Sequence, residues 1–246
     1  MRILITGASS GLGAEMARQF AALGHDLALT ARRTDRLAQL RDEILAAHPD
    51  RTVLVKAPDV NDHDAVFKVF DEVAGEFGGL DRVIVNAGLG KGAPLGTGRF
   101  DANRDTAMTN FVGALAQCEA AMTIFRAQNA GHLVVISSVS AMRGMPRTIT
   151  TYAATKAGVA SLAEGLRLEL LGKPIKVSTI YPGYIRSEMN EKVAHTPFMT
   201  DTVTGVRAMV AAIESGRAKA VVPAWPWRLL APAIHSLPLP LVRKLI

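Results

Sequence analysis

Short, almost wholly apolar runs alternate along the chain with longer stretches in which apolar residues recur every three or four positions. The runs ILIT, VLV, VIV and LVVI carry barely a polar side chain, as expected of strands buried on both faces. The pattern predicts strands over residues 2–6, 26–30, 52–57, 82–85, 132–137, 176–181 and 219–222. Helical periodicity marks 12–23, 35–47, 62–77, 103–128, 151–171 and 202–215. Regular strand–helix alternation implies right-handed crossovers and an α/β fold, a doubly wound seven-stranded parallel sheet with helices on both faces. No linker, internal repeat or low-complexity tract interrupts it, so residues 1–246 read as a single domain.

Composition narrows the possibilities. Hydrophobic residues make up 49% and charged residues 20% of 246, which is a globular balance. Cys118 is the one cysteine, so no intrachain disulfide can form, and a reducing, cytoplasmic setting is expected. The opening MRILITGASSGLG lacks the long apolar core and cleavage site of a signal peptide, and no apolar run approaches the ~20 residues of a membrane span. The formal charge is +6 and the pI near 9.7, which admits nucleic acid, an anionic membrane or a phosphorylated ligand. The basic residues are scattered, without interleaved aromatics, so nucleic acid is not expected; a phosphate-bearing cofactor needs only a few of them. The acid-rich run DVNDHD has His63 but no second His or Cys at ligand spacing, and no metal is expected.

The first strand runs into Gly7, Ala8, Ser9, Ser10, Gly11, Leu12 and Gly13, and then a helix. Glycines in that position allow a tight turn and close approach of the backbone to a pyrophosphate, while the helix N-terminus offers free N–H groups. The loop therefore reads as dinucleotide-binding, of Rossmann-like type. At the end of the second strand, a carboxylate would accept from the 2′-hydroxyl of NAD(H). Here stand Ala31, Arg32 and Arg33, and a guanidinium forks well onto a phosphate. NADP(H) is expected rather than NAD(H), with Arg32 the main 2′-phosphate contact and Arg33 secondary.

Tyr152 and Lys156 share a helix face at i and i+4 in TYAATKAGVASLAEGL. A nearby cation favours the phenolate and would draw the tyrosine pKa towards working pH. The alternative is two residues on a solvated face.

Taken together, Thr6-Gly7-x-x-x-Gly11-x-Gly13, Asn86-Ala87-Gly88, Ser138, Tyr152-x-x-x-Lys156 and Pro182-Gly183 resemble the short-chain dehydrogenase/reductase family, over a match from Met1 to about Val222. The resemblance implies that Tyr152 is the general acid in carbonyl reduction and the base in alcohol oxidation. Lys156 would lower its pKa and hold the nicotinamide ribose, and Ser138 would hydrogen-bond the substrate oxygen. Asn110 would hold a water linking Lys156 to solvent. The alternatives are a polar strand end for Ser138 and a packing amide for Asn110. Asp59 and Val60 resemble the family's adenine contact, though a helix cap supplied near Asn61 or Asp62 is the other reading of that run. Asn86, Ala87 and Gly88 would form the floor of the cofactor cleft. Pro182, Gly183, Tyr184 and Ile185 would flank the nicotinamide, with Ser187 where the family commonly has threonine. A homodimer or homotetramer is implied, through the long middle helix and the Tyr152 helix.

Two segments bear on substrate. Residues 89–100, rich in glycine and basic, are expected to be a mobile loop beside the cleft, and 186–206 a lid carrying Met189, Val193, Phe198 and Met199. The tail, 223–246, contains Trp225, Trp227, Leu229, Leu230, Ile234, Leu237, Leu239, Leu241, Leu245 and Ile246, with Arg228, Arg243 and Lys244. Pro223, Pro226, Pro232, Pro238 and Pro240 prevent one long helix. The tail either packs over the cleft or against a subunit, or makes weak contact with a membrane surface. An apolar entrance favours a hydrophobic ketone, aldehyde or alcohol, with Ser138, Tyr152, Tyr184 and Met189 facing it. The expected activity is NADP(H)-dependent carbonyl–alcohol interconversion. A 3-oxoacyl or hydroxysteroid-type dehydrogenase using NAD(H), or an NADP(H) sensor without turnover, are the alternatives.

Overall fold

The computed structural model describes residues 1–189 and 198–245, and the side chains within that range except those of 231–235 and 243–245. Strands β1 (Arg2–Thr6), β2 (Asp26–Thr30), β3 (Val53–Lys56), β4 (Arg82–Val85), β5 (Gly131–Ile136), β6 (Ile175–Pro182) and β7 (Lys219–Val222) form one sheet in the order β3-β2-β1-β4-β5-β6-β7. Each neighbouring pair is parallel. This is the doubly wound arrangement read from the apolar runs, and the order reverses between β1 and β4, where open α/β sheets bind ligands.

Helices α1 (Gly11–Ala22) and α2 (Thr34–Ala47) lie on one face with α7 (Thr202–Glu214), burying Met16, Phe20, Leu37 and Met209 against Ile3, Ile5 and Leu29. On the other face α3 (His63–Phe77), α5 (Gly113–Gln128) and α6 (Thr150–Glu169) bury Phe70, Phe125 and Val159 against Leu4, Val83 and Leu133. Successive strand residues feed opposite cores, so an uninterrupted apolar strand is required here.

The predicted helix over 103–128 is interrupted. It comprises α4 (Phe100–Ala107), a π-helical turn at Met108–Val112, and α5. The tail folds as two short helices, α8 (Trp227–Ser236) and α9 (Leu239–Leu245), as its prolines require. No helix among the described residues is long and apolar enough to cross a membrane.

The start of β4 and β5 holds a polar cluster that strand patterning did not suggest. Buried Arg82 donates from Nε to His132 Nδ1 (3.1 Å) and pairs with Glu214 at the end of α7. Arginine only donates, so Nδ1 must accept, and His132 is the neutral Nε2–H tautomer, with Nε2 2.8 Å from Ser178 Oγ. Burial, followed by the charges of Arg82 and Lys176, depresses the His132 pKa to about 3.

Candidate active site

At the C-terminal edge of the sheet, β1 ends at Thr6, whose Oγ1 accepts from the backbone N–H groups of Asn86 (3.0 Å) and Ala87 (3.1 Å). Asn86 Nδ2 donates back to the Thr6 carbonyl at 2.9 Å, so the loops after β1 and β4 are tied together. The fit is close: a Cβ on Gly7 would fall 2.8 Å from Ala87 Cα, and one on Gly13 would fall 2.3 Å from the Gly7 carbonyl oxygen. Gly11 adopts φ +54, a left-handed conformation that favours glycine. Ser10 is the N-cap of α1, yet its side chain makes no capping bond. The first-turn N–H groups are thereby available to an external anion. These features suit a dinucleotide's phosphates.

Around that loop the two arginines make different contacts. Arg33 Nε donates to Ser9 Oγ (3.1 Å) and its Nη2 to Ser10 Oγ (2.6 Å), so it lies across the phosphate loop. Arg32 is exposed and reaches towards Asp59, 3.7 Å away. Asp59 holds a turn by accepting from the Asn61 N–H, while Asp62 caps α3 by accepting from the Ala65 N–H. The cap therefore belongs to Asp62, leaving Asp59 beside the arginine. Val60 is partly buried, its carbonyl against Gly113 of α5. Arg36 and Glu188, which no sequence pattern singled out, pair with each other, and Arg33 Nη1 donates to Glu188 at 3.1 Å.

Ser138, Tyr152, Lys156 and Asn110 converge at the end of β5. Lys156 is 5% exposed, and its Nζ donates to the Ile136 carbonyl at 2.9 Å. Burial lowers its pKa from 10.5 to about 8. Nζ lies 5.9 Å from the Tyr152 ring centroid. Contrary to expectation, the Tyr152 pKa is raised: burial dominates, a hydrogen bond with Ser138 partly offsets it, and Tyr184 adds to the rise. Desolvation of the buried ring penalises the phenolate, and the Ser138 hydrogen bond offsets only part of that penalty. Ser138 caps the turn at Val139–Met142, accepting from the Ser140 N–H at 3.1 Å, which fixes its hydroxyl.

Asn110, 1% exposed, sits in the π-helical turn. Its Oδ1 accepts from the Leu89 N–H (2.6 Å) and its Nδ2 donates to the Leu89 carbonyl (2.8 Å), so it clamps the chain leaving Gly88. A Cβ on Gly88 would fall 3.2 Å from Asn110 Oδ1 and 3.5 Å from Lys156 Nζ, which places the three together. Extra-wide turns of this kind are frequent at functional sites because they re-aim a side chain within a helix.

Within the loop 89–100, residues 89–93 are tied to their surroundings, while 94–100 are exposed. Ala93 exchanges hydrogen bonds with Asn103 (3.1 and 3.0 Å), the Lys91 carbonyl accepts from Thr106, and a Cβ on Gly92 would fall 1.7 Å from the Thr148 carbonyl oxygen. Met189 packs on this segment: a Cβ on Gly90 would fall 2.6 Å from its Cγ. Ser187 lies over the phosphate loop, 3.3 Å from a Cβ position on Gly11. Gly183 donates from its N–H to the Val222 carbonyl at 2.8 Å, fixing the chain after Pro182 to β7. Ile185 is buried, with its side chain packed against Gly205. Trp227 is 5% exposed and meets Tyr184 edge-on (5.2 Å between centroids) and Phe198 (6.2 Å). The start of the tail thus packs on Tyr184 and Phe198, while Trp225 is 75% exposed. Val193 and Ile246 lie outside the described residues, as do the side chains of Ile234, Arg243, Lys244 and Leu245.

A nucleotide-type loop, an arginine-rich second-strand end and a Ser–Tyr–Lys cluster on one sheet edge define a dehydrogenase-like α/β protein. Residues 1–197 match the family model described as short chain dehydrogenase, and the chain belongs to that family of oxidoreductases. It is 55% identical over 243 residues to an uncharacterized oxidoreductase of Mycobacterium tuberculosis (strain ATCC 25618 / H37Rv), covering 99% of this chain and 96% of that protein. Its fold is similar to that of a short chain dehydrogenase/reductase from Burkholderia phymatum in complex with NAD (TM-score 0.82, 23% identity, 94% of this chain and 90% of that one). It is also similar in fold to an alcohol dehydrogenase from the archaeon Thermococcus sibiricus complexed with 5-hydroxy-NADP (TM-score 0.78, 24% identity, 87% and 90%).

Proposed function

We propose that this protein is an NADP(H)-dependent oxidoreductase that interconverts a hydrophobic ketone or aldehyde with its alcohol. The observation that carries this reading is the convergence of Ser138, Tyr152 and Lys156 beside the Gly88 bend, with Tyr152 hydrogen-bonded to Ser138. A bound nicotinamide dinucleotide would supply or accept the hydride. It would lie along Gly7–Gly13, Asp59, Val60, Asn86–Gly88 and Pro182–Ser187, with Arg32 and Arg33 at its 2′-phosphate. Relatives of the fold bound to NAD and to 5-hydroxy-NADP support a dinucleotide of this type.

In reduction, Tyr152 donates its proton to the substrate oxygen, and Ser138 donates a hydrogen bond to the same oxygen as negative charge develops there. Lys156, with a pKa near 8, can pass a proton inward and be recharged. Asn110 positions the Leu89 backbone beside that lysine. In oxidation the proton runs in reverse, with Tyr152 as base. Tyr184, Trp227, Phe198 and Met189 give the entrance an apolar lining, which supports a lipophilic substrate over a sugar.

On this reading residues 186–206 act as the substrate lid and 223–246 as a partial roof, within one cytoplasmic domain. Leu115, Met122, Leu162 and Leu166 line a groove between α5 and α6, where a homodimer or homotetramer would form. Exposed Trp225, Leu229, Leu239 and Leu241 are where weak membrane-surface contact would occur.

The test is fluorescence titration with NADPH and NADH, followed by turnover against a panel of ketones and aldehydes. Tighter NADPH binding and turnover of apolar carbonyls are expected. Binding without turnover across the panel would favour the sensor, and preference for NADH would remove the arginine assignment.

A further inference from the structure

Glu188 occupies a place whose chemistry is that of an anion seat. Arg33 donates to its carboxylate at 3.1 Å, Arg36 forms a second ion pair, and Ser10 adds a hydrogen bond. Arg36 leads these contacts in holding the carboxyl below the usual range. The same Arg33 spans Ser9 and Ser10 in the phosphate loop. Ser10, Arg36 and Glu188 line one wall of a polar cavity of about 500 Å³ that opens between α1 and α2, with the Arg18–Glu43 pair on its far side.

A carboxylate held by two guanidiniums and a serine at the mouth of a phosphate loop competes with any phosphate for the same donors. Resting on the NADP(H) reading above, we infer that Glu188 is a specificity-determining residue that tempers the preference for NADPH by sitting in the seat of the 2′-phosphate. The side chain comes from the segment that follows Ser187 over Gly11, while Arg33 and Arg36 come from the N-cap and first turn of α2. NADH lacks the 2′-phosphate and leaves the carboxylate where it is. NADPH must displace it, and each exposed pair broken weakens binding by a factor of a few.

The experiment measures dissociation constants for NADPH, NADH and adenosine 2′,5′-bisphosphate with the wild type and Glu188→Gln. The variant should bind NADPH and the bisphosphate about five- to tenfold more tightly and NADH within about twofold of wild type. That gain should shrink at ~0.5 M salt, where exposed charges are screened, and vanish in Arg36→Gln/Glu188→Gln. Equal or weaker NADPH binding by the variant would overturn the role of Glu188 while leaving the cofactor reading standing. Equal tightening of NADPH and NADH would also overturn it, by assigning the seat to the pyrophosphate. No binding of any of the three ligands to either protein would overturn the cofactor reading itself and this inference with it.

Discussion

Replacing Lys156 by methionine should stabilise the ligand-free protein while abolishing its activity. Lys156 is buried, its pKa falls from 10.5 to about 8, and its Nζ donates to the Ile136 carbonyl. A depression of that size corresponds to roughly 3 kcal/mol of penalty on the charged form at about 1.4 kcal/mol per pKa unit. Methionine keeps the length and removes the charge. It also leaves the Ile136 carbonyl without its partner, which costs about 1 kcal/mol. The net gain expected at pH 7 is about 1–2 kcal/mol, or a few degrees in Tm. The pH dependence gives a sharper signature. Between the folded pKa near 8 and the unfolded value of 10.5, the unfolded chain holds more protons at this site, so stability rises with pH. Relative to Lys156→Met, the wild type should therefore gain up to about 2 kcal/mol between pH 8 and 9.5 in urea unfolding, the opposing effect of buried Cys118, whose thiol pKa is pushed up to about 12, being common to both proteins. A variant less stable than wild type at pH 7, or one with the same slope above pH 8, would refute the reasoning.

His132 predicts the acid limb. Its folded pKa is depressed to about 3, so the stability it contributes is present above the unfolded value near 6.5 and is lost as pH falls below it. About 2 kcal/mol should disappear between pH 7 and 5, with His25, whose pKa is also lowered by burial, adding in the same direction; His132→Gln should flatten most of the slope, as followed by urea unfolding. Gly13→Ala should lose about 1–3 kcal/mol in thermal unfolding and at least tenfold in dinucleotide affinity, because its Cβ meets the Gly7 carbonyl and the Asn86 amide at 2.8 Å and neither can swing away. Gly75→Ala, where a Cβ meets nothing within 4 Å, should instead gain up to about 1 kcal/mol in the same assay.

What could be read from residues alone tracks what is local or periodic. The strands were legible because every strand residue faces one of two cores, as Ile3, Leu4 and Ile5 do in succession. The Tyr152–Lys156 pair was legible because helical spacing guarantees a shared face. The π-helical turn at Asn110 was not: MTNFV continues the apolar period of its neighbours, and nothing local in it marks an extra residue. The contacts of Arg33 depend on Ser9, Ser10 and Glu188, up to 155 positions away in sequence. Arg82, His132 and Ser178 are assembled by parallel register, which strand propensity does not encode. In the tail, both tryptophans look alike by composition, yet Trp227 closes on Tyr184 and Trp225 faces outward, and only tertiary packing separates them. The sign of the Tyr152 shift was misjudged for a similar reason: the lysine was visible in the sequence, and the depth of burial was not.

The most direct measurement compares Tyr152→Phe with wild type, in NADPH binding by fluorescence and in turnover of a carbonyl substrate found from the panel. Phenylalanine keeps the buried ring and removes only the proton that Tyr152 is assigned to donate. NADPH affinity within a few-fold of wild type, with kcat lowered by at least about a hundredfold, is the predicted result. Turnover retained near the wild-type rate would contradict the assignment of Tyr152 as the acid and base.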